Sequence, residues 1–451
     1  MTIQEMVNNA RIAQKEFEAR FNQEQVDEMV KIVGKVVFDN AEELADMAVK
    51  ETRMGVYEDK VAKNKGKSKA IWYDLKGKKS MDIIGRCEDT GMLEVAKPIG
   101  VVAGITPTTN PIVTPMSKTM FALKTKNAVI IAPHPRSKKC SGKTMTLIQD
   151  ALAKFDLPKN LIQVIEEPSI EKTSELMKAA DVVVATGGMG MVKSAYSSGK
   201  PSYGVGAGNV QVIVDKGYDY DKAAKNIIAG RKFDNGIICS GEQTVIAIEE
   251  EYDKVMDAFV NNGAYLVKDA SDREKFVNTI FVDGHLNKDI VGQSTTDIAK
   301  LAGVEIPADT KVILLEANGI GAEDVICKEK MCPVMATFKA KDINDAIHIA
   351  KTNLEHEGNG HSAAIHSNSQ DNIEAAGRAL SVSRLVVNAP CATTAGGSIQ
   401  NGLAVTNTLG CGTWGNNSIS ENFTYKHLLN ITRVAPINEN IKVPTDDEIW
   451  A

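Results

Sequence analysis

The sequence predicts an α/β protein built as two units. Continuous Val/Ile runs alternate with helical segments from about residue 100 onward, which indicates a parallel sheet covered by helices on both faces. The alternation restarts in a second α/β unit at about 227–410. A chain of 451 residues has room for two or three such domains.

The first unit begins with helices and continues with strands. Residues 1–50 have helical periodicity, and the lysine-rich stretch 51–80 is typical of a solvated face. Five apolar runs predict the strands of the sheet, namely 99–105, 127–133, 161–168, 181–188 and 210–215. Ligands bind at the carboxyl ends of parallel strands. The turns TPTTNP, APHPRS and TGGMG are predicted to lie there.

The second unit has strands between amphipathic helices. The predicted strands are QTVIAIEE, KVILLEA, PVMATF, HSAAIHS and SRLVVNAP. The tail after residue 410 is turn-rich and then helical by pattern.

Composition excludes several classes of protein. Hydrophobic residues make up 43% of the chain and no apolar run approaches a membrane span. The net charge of −6 argues against nucleic-acid binding. Seven scattered cysteines without a C-x-x-C pair or zinc-like spacing predict a cytoplasmic protein without a metal site. The N-terminus lacks the apolar region of a signal peptide.

One cysteine stands out from the others by its surroundings. Cys239 lies in DNGIICSGEQ, between an Asn-Gly turn and the apolar run that begins the second unit. A thiol at a kink before a strand, where two domains join, is well placed for nucleophilic attack on a substrate. A small buried cysteine is the alternative interpretation.

The motifs together identify a family. TPTTNP at 106–111, TGG at 186–188, GVGAGN at 204–209, the Cys239 loop and EKMCPV at 329–334 resemble the aldehyde dehydrogenase superfamily in order and spacing. APHPRSKK, GVGAGN and LGCGTWGNNSISEN resemble its CoA-acylating branch. The resemblance runs over nearly the whole chain.

The resemblance implies a domain plan. Residues 1–226 are expected to form a nucleotide-binding domain with a small β excursion at about 88–98, and residues 227–410 a catalytic domain. The segment 411–451 is expected to return to the nucleotide domain and to build, with the excursion, the interface of a homodimer or a dimer of dimers.

The resemblance also implies a thioester mechanism. Cys239 is expected to be the nucleophile. Its backbone N–H and the side-chain amide of Asn110 are expected to bind the oxyanion of the tetrahedral adduct. Hydrolytic relatives begin the GVGAGN-type segment with a glutamate that activates water, whereas this chain has Gly204. The missing base favours CoA, whose thiol ionises near neutral pH, as acyl donor or acceptor.

A nicotinamide cofactor is expected at the first sheet. The predicted contacts are Thr106, Pro107, Pro133, His134, Pro135, Arg136, Gly187, Gly188, Gly206 and Glu329, the last on the nicotinamide ribose. Ala132 and Pro135 replace the Lys and Glu of the KPSE-type segment of NAD-specific relatives. The loss of the acid and the presence of Arg136 favour NADP(H), with NAD(H) as the alternative.

The acyl group is expected to be succinyl, giving reversible reduction of succinyl-CoA to succinate semialdehyde. Lys67, on a helix that runs beside the substrate tunnel in the family, is expected to bind the distal carboxylate, with Ser240 donating a hydrogen bond. His361 is a candidate for thiol chemistry or CoA contact. The alternatives are propionyl-, butyryl- or acetyl-CoA as substrate, hydrolytic release of the acid, and an inactive structural or shell-associated homologue.

Overall fold

The computed structural model describes residues 1–451 and contains both predicted α/β units. The strands, in chain order, are β1 (Asp82–Arg86), β2 (Leu93–Pro98), β3 (Val101–Ile105), β4 (Ala128–Ala132), β5 (Ile162–Val164), β6 (Val182–Thr186), β7 (Ser202–Val205), β8 (Gln211–Val214), β9 (Thr244–Ile248), β10 (Ala264–Val267), β11 (Phe281–Val282), β12 (His285–Leu286), β13 (Val312–Glu316), β14 (Val334–Ala340), β15 (Ala363–His366), β16 (Leu385–Val387) and β17 (Leu429–Val434).

Sixteen α-helices surround these strands. They are α1 (Ile3–Arg20), α2 (Gln23–Asp39), α3 (Ala41–Thr52), α4 (Tyr57–Leu75), α5 (Val113–Lys124), α6 (Lys138–Leu152), α7 (Ile170–Ala179), α8 (Met189–Tyr196), α9 (Tyr220–Lys232), α10 (Tyr252–Asn261), α11 (Ala270–Ile280), α12 (Thr295–Ala302), α13 (Ile343–His356), α14 (Gln370–Ala379), α15 (Cys391–Thr394) and α16 (Asp446–Trp450). No helix is both long enough and apolar enough to cross a membrane.

The first sheet is parallel, with strand order β5-β4-β3-β6-β7. Every residue of β3 and β4 is buried, which explains their continuous apolar runs, because helices cover both faces. Its core of 51 buried residues includes residues of α1, α2, α5 and α6. The strand order reverses at β3, which lies between β4 and β6, so the turns after these strands open a crevice for a ligand.

The second sheet is also parallel, with strand order β10-β13-β14-β9-β8-β15-β16. Two apolar clusters of 29 and 24 buried residues include residues of its strands. The five strands predicted for this unit are all present, and β10, a short strand of four residues, was not predicted.

The prediction that residues 210–215 form the fifth strand of the first sheet is wrong. This segment is β8, which pairs with β9 and β15 in the second sheet. The fifth strand of the first sheet is β7, which overlaps the start of the glycine-rich segment 204–209. The chain therefore changes sheets between Val205 and Gln211, ahead of the expected boundary at 226. Both segments are short and apolar, and periodicity does not assign a strand to a sheet.

A separate antiparallel sheet of three strands has the order β1-β2-β17. The hairpin β1–β2 begins earlier than the expected excursion at 88–98. The prediction of a helical end to the tail is wrong for residues 429–434, which form β17 along β2. Phe423, Tyr425 and Leu428 join the core of the first sheet, so the C-terminal segment packs on that unit.

Candidate active site

Cys239 lies at a kink between a tight turn and β9. Three successive residues of the turn, Asp234, Asn235 and Gly236, have positive φ, a conformation that Asp, Asn and Gly tolerate best. The next strand begins at Thr244. Of the seven cysteines, only Cys239 and Cys87 are partly exposed. The local geometry predicted from DNGIICSGEQ is therefore correct.

Helix α4 holds this turn in place. The buried carboxylate of Asp234 accepts hydrogen bonds from Lys60 Nζ at 3.0 Å, Lys63 Nζ at 2.6 Å and the backbone N–H of Val56 at 2.9 Å. Burial alone would raise the pKa of Asp234, but the charges of Lys63 and Lys60 keep it below its usual value. The prediction of a solvated lysine face is thus wrong for these two lysines, because they pair with a distant aspartate.

A cavity of about 600 Å³ brings together four predicted residues from separate parts of the chain. Asn110, Lys67, Ser240 and Cys239 all line it. The other lining residues come from α4, the Cys239 loop and the segment 392–409, namely Ala62, Lys63, Gly66, Ala70, Phe233, Ile238, Ala392, Thr393, Gly396, Gly397, Ser398, Ile399, Gln400, Thr406, Asn407 and Leu409. We call this space the acyl cavity.

Two donors in the acyl cavity are free. Neither the backbone N–H of Cys239 nor the side-chain amide of Asn110 makes a hydrogen bond to another residue. Ser240 differs from expectation, because its hydroxyl donates to the carbonyl of Ala392 at 3.1 Å and is not free to donate to a ligand.

Lys67 is the half-buried cation of the cavity wall. Its Nζ donates to the carbonyls of Gly396 at 3.0 Å and Thr406 at 3.3 Å. Burial, opposed by the nearby Cys239 and assisted by Lys63, lowers the pKa of Lys67 to about 8. No carboxylate lines the cavity to compensate this charge.

The glycine-rich segment 204–209 packs against the nucleophile loop. A Cβ at Gly208 would lie 1.7 Å from the carbonyl oxygen of Cys239, so only glycine fits there. A Cβ at Gly204 would lie 2.8 Å from Val192 Cγ1 and 2.9 Å from Tyr196 Cε2. A glutamate side chain at position 204 therefore has no room without movement of these neighbours.

The charges around Cys239 do not favour the free thiolate. Burial, followed by the charges of Glu329 and Cys411, raises the pKa of Cys239 to about 12, while Arg384 acts in the opposite direction. Burial, followed by Glu357, raises the pKa of Glu329 to about 8. The Glu329 carboxylate accepts the N–H of Gly208 at 3.3 Å, so it lies beside the segment that touches Cys239.

Arg384 is a charged neighbour of Cys239 that the sequence did not reveal. Its guanidinium is buried without a carboxylate and donates to the carbonyls of Gly410 and His361 and to the Ser362 hydroxyl. Its position depends on the packing of β16 against the C-terminal segment. No local motif marks it.

His361 is buried and lines none of the cavities described here. Its Nδ1 is 3.1 Å from the Ser362 hydroxyl and its Nε2 has no partner. Burial and the charge of Arg384 lower the pKa of His361 to about 3. The ring is therefore neutral at physiological pH, and the structure does not bring it to the cavity with Cys239.

A second cavity, of about 360 Å³, lies at the carboxyl edge of the first sheet; we call it the nucleotide cavity. Seven of the predicted cofactor residues line it, namely Thr106, Pro107, Pro133, His134, Pro135, Gly187 and Gly188. The buried hydroxyl of Thr106 has no hydrogen-bond partner, and no Asp or Glu lines the space. These features fit a nucleotide phosphate or ribose.

Three predicted cofactor residues lie outside the nucleotide cavity. Arg136 is exposed beyond its rim. Gly206 lines a third cavity of about 260 Å³. Met189 belongs to both the second and the third cavity, so the two adjoin. Glu329 touches the glycine-rich segment from the other side. No group of three or more His, Cys, Asp or Glu side chains is arranged to hold a metal ion.

Residues 1–403 match the model of the aldehyde dehydrogenase family. The chain belongs to this family. It is 56% identical over 450 residues to a succinate-semialdehyde dehydrogenase (acetylating) of Clostridium kluyveri, covering 100% of this chain and 99% of the relative. A sulfoacetaldehyde dehydrogenase (acylating) of Bilophila wadsworthia is 40% identical, covering 100% of this chain and 98% of the relative.

The structure agrees with the family assignment. The crystal structure of an acetylating aldehyde dehydrogenase from Geobacillus thermoglucosidasius superposes with a TM-score of 0.94 at 38% identity, covering 98% of each chain. The predicted resemblance to the CoA-acylating branch of the aldehyde dehydrogenases is therefore confirmed, as is the predicted fold class.

Proposed function

We propose that this acylating aldehyde dehydrogenase catalyses the reversible, NADP(H)-dependent reduction of succinyl-CoA to succinate semialdehyde and CoA. The observation that carries the proposal is the acyl cavity. It places a nucleophile, Cys239, two free N–H donors and a cation, Lys67, around one space.

Acyl transfer begins with attack of the Cys239 sulfur on the thioester carbonyl carbon of the substrate. The carbonyl oxygen becomes an oxyanion that accepts hydrogen bonds from the Cys239 N–H and the Asn110 amide. The bond from carbon to the CoA sulfur then breaks, and the acyl group stays on Cys239 as a thioester. The proton of the Cys239 thiol ends on the CoA sulfur, so the exchange is balanced.

The proton of Cys239 needs a temporary acceptor, because burial raises the pKa of the thiol and favours its protonated form. Glu329 is the carboxylate whose charge acts on the Cys239 thiol, and burial raises its pKa to about 8, so its ionised form accepts a proton more readily than an ordinary carboxylate does. We assign Glu329 this role in addition to the ribose contact.

Water is a poor acceptor for the acyl group in this site. No carboxylate lines the acyl cavity, and position 204, where hydrolytic relatives have their base, is filled by Val192 and Tyr196. A CoA thiol needs less activation than water because its pKa is much lower. This difference supports CoA over hydrolysis.

The nucleotide cavity supports a nicotinamide coenzyme, which supplies hydride to the acyl carbon when bound. The unpaired Thr106 hydroxyl and the backbone of Gly187 and Gly188 would hold its phosphates and ribose. The absence of a lining carboxylate favours NADP(H), since a 2′-phosphate meets no repulsion there. Lys138, the first residue of α6, pairs with Glu167 and so contributes less to binding a 2′-phosphate than a free lysine would.

The acyl group is proposed to carry a negative charge at its far end. Lys67, a half-buried lysine without a carboxylate partner, favours an anionic ligand, which would restore charge balance. The two full-length relatives described above act, by their names, on aldehydes that carry a carboxylate or a sulfonate. We choose succinyl because the carboxylate-bearing relative is the more similar in sequence.

The subunit interface is proposed to include the three-stranded sheet and the tail behind it. β17 is an edge strand, and Ile437, Val443 and Trp450 are exposed apolar side chains. A second copy of this chain would cover them. Light scattering coupled to size exclusion should therefore give the mass of a dimer or a dimer of dimers, and a monomer would contradict the proposal.

The test of the function is a rate comparison at 340 nm with NADPH and succinyl-, sulfoacetyl-, acetyl- and butyryl-CoA. Lys67→Met should raise KM for succinyl-CoA by about tenfold or more and leave butyryl-CoA nearly unchanged, because only the charged ligand loses a partner. Lys65→Met is the control, since Lys65 lies on the same helix and pairs with Glu42 at the surface. Faster turnover of butyryl-CoA by the native enzyme would replace succinyl with an apolar acyl group.

A further inference from the structure

Helix α4 contains a glycine that packing does not explain. Gly66 lies near the middle of the helix, where glycine is the least favourable residue after proline. A Cβ built at Gly66 meets no heavy atom within 4 Å, so a larger residue would cause no clash in the protein itself.

Two other glycines inside helices, Gly34 and Gly230, have a contact that excludes a side chain. A Cβ at Gly34 in α2 would meet the Ser68 carbonyl oxygen at 3.2 Å, where α2 and α4 approach closely. A Cβ at Gly230 in α9 would lie 2.1 Å from the carboxylate of Glu242. Gly66 has no such contact: it is exposed, and it lines the acyl cavity.

Small residues repeat along the cavity face of α4. Ala62, Gly66 and Ala70 are spaced by four residues and all line the acyl cavity, with Lys63 and Lys67 beside them. Residues four apart lie on one face of a helix. The missing side chain at Gly66 therefore adds space next to the lysine that we propose as the anion partner.

Lys67 cannot easily move toward a shorter ligand. Its Nζ donates hydrogen bonds to two backbone carbonyls, which fix its position. The far end of the acyl group must therefore reach Lys67, and the space that admits it is bounded by Gly66.

We infer that Gly66 determines the acyl-chain length that the enzyme accepts, by leaving room for a four-carbon acyl group beside Lys67. The inference rests on the proposed function in one respect, that Cys239 and the acyl cavity hold the acyl group. It adds a steric determinant that is independent of charge, because bulk at position 66 obstructs charged and neutral four-carbon chains alike.

The experiment compares Gly66→Ala and Gly66→Leu with Gly142→Ala and Gly142→Leu. Gly142 is a matched control, since it also lies inside a helix, α6, with no heavy atom within 4 Å of its Cβ, and lines none of the cavities described here. We expect Gly66→Leu to lower kcat/KM for both succinyl- and butyryl-CoA by about tenfold or more, and to leave acetyl-CoA within a fewfold.

The stability of the variants separates a specific effect from a folding defect. Alanine favours a helix over glycine, so Gly66→Ala and Gly142→Ala should both have a Tm equal to or above that of the native protein. The inference would be overturned if Gly66→Leu lowered kcat/KM equally for acyl groups of all lengths. It would also be overturned if the variant kept the native ratio of kcat/KM for butyryl-CoA to that for acetyl-CoA.

The outcomes also separate this inference from the proposed function. If the native enzyme prefers butyryl-CoA to succinyl-CoA, the anionic assignment fails, whereas the butyryl-to-acetyl ratio still tests Gly66. If no acyl-CoA is reduced, the proposed function fails. The effect of chain length is then measured by the rates at which iodoacetamide and N-butyl-iodoacetamide alkylate Cys239, followed by peptide mass. A Gly66→Leu variant that is alkylated more slowly by both reagents to the same degree would overturn the inference about Gly66.

Discussion

The acyl cavity and the nucleotide cavity are built in different ways. The nucleotide cavity takes its lining from turns that directly follow strands of one sheet and from the helices after them. The acyl cavity takes its lining from a helix before the first sheet, the turn after β3, the loop before β9 and the segment 392–409. The nucleotide cavity therefore follows from the geometry of successive strands and turns, whereas the acyl cavity forms only when segments distant in sequence pack together.

The two cavities also differ in charge. His134 is the only titratable side chain that lines the nucleotide cavity, so a ligand there meets mainly backbone groups and hydroxyls. The acyl cavity contains Lys63, Lys67 and the Cys239 thiol. Single substitutions should therefore have large effects in the acyl cavity, where side chains do the chemistry, and small effects around the nucleotide, where the backbone carries most contacts.

The largest effect is expected for Cys239→Ala. Removal of the sulfur prevents the thioester, so acyl-CoA reduction should fall by about 10⁴-fold or more. Cys87→Ala is the control, because Cys87 is the other partly exposed cysteine and lies in the hairpin far along the chain. The steady-state rate with NADPH and succinyl-CoA measures the complete reduction. The intact mass of the protein after incubation with succinyl-CoA alone measures acylation of Cys239. Near-native turnover of Cys239→Ala would refute the mechanism.

Asn110→Ala should have the next largest effect. The amide of Asn110 has no partner in the protein, so its removal costs the fold no internal hydrogen bond and takes away one oxyanion donor. We expect kcat to fall by about 10²- to 10³-fold with little change in KM. Asn110→Asp should be no better, because a carboxylate cannot donate. A change confined to KM would make Asn110 a binding residue.

These residues show how far sequence can reach. The sequence can place residues that lie close to a strand, because the motif and the strand beside it together indicate their position. This applies to Cys239, Asn110 and the turns of the nucleotide cavity. Lys67 was found from family resemblance, and its backbone partners at Gly396 and Thr406 lie more than 300 residues away. No periodicity predicts such a pair. The pairing of Asp234 with Lys60 and Lys63 could not be predicted either. From the sequence, Asp234 belongs to a turn and the two lysines to a solvated lysine-rich stretch.

The errors in the fold have a common physical cause. β8 and β17 are ordinary short strand sequences, and what places β8 in the second sheet or β17 beside β2 is the pairing available after the rest of the chain has folded. Strand propensity depends on context in this way. His361 was a reasonable candidate by motif, but its burial behind Arg384 depends on tertiary packing.

The pH dependence of substrate preference should be moderate in size. Burial lowers the pKa of Lys67 to about 8, so its charge is present below that pH and is lost as the pH rises through it. The ratio of kcat/KM for succinyl-CoA to that for butyryl-CoA should therefore fall about tenfold between about pH 7 and pH 9. Lys67→Met should make this ratio independent of pH. A native ratio that stays flat would remove Lys67 as the anion partner.

The smallest effect is expected for Arg136→Ala, and it tests the nucleotide cavity. Arg136 is exposed just beyond the rim, where solvent screens its charge. Its loss should raise KM for NADPH by about three- to tenfold and leave NADH unchanged, because only NADPH carries a 2′-phosphate. Lys143→Ala, on the helix α6 that follows Arg136 in the chain and paired with Glu43, is the control. Equal changes for both coenzymes would mean that Arg136 acts on the shared part of the nucleotide. If the KM of neither coenzyme changes, Arg136 does not contribute to binding, and the backbone of the turns provides the affinity for the nucleotide. In that case the nucleotide cavity would bind its ligand without charged side chains, in contrast to the acyl cavity.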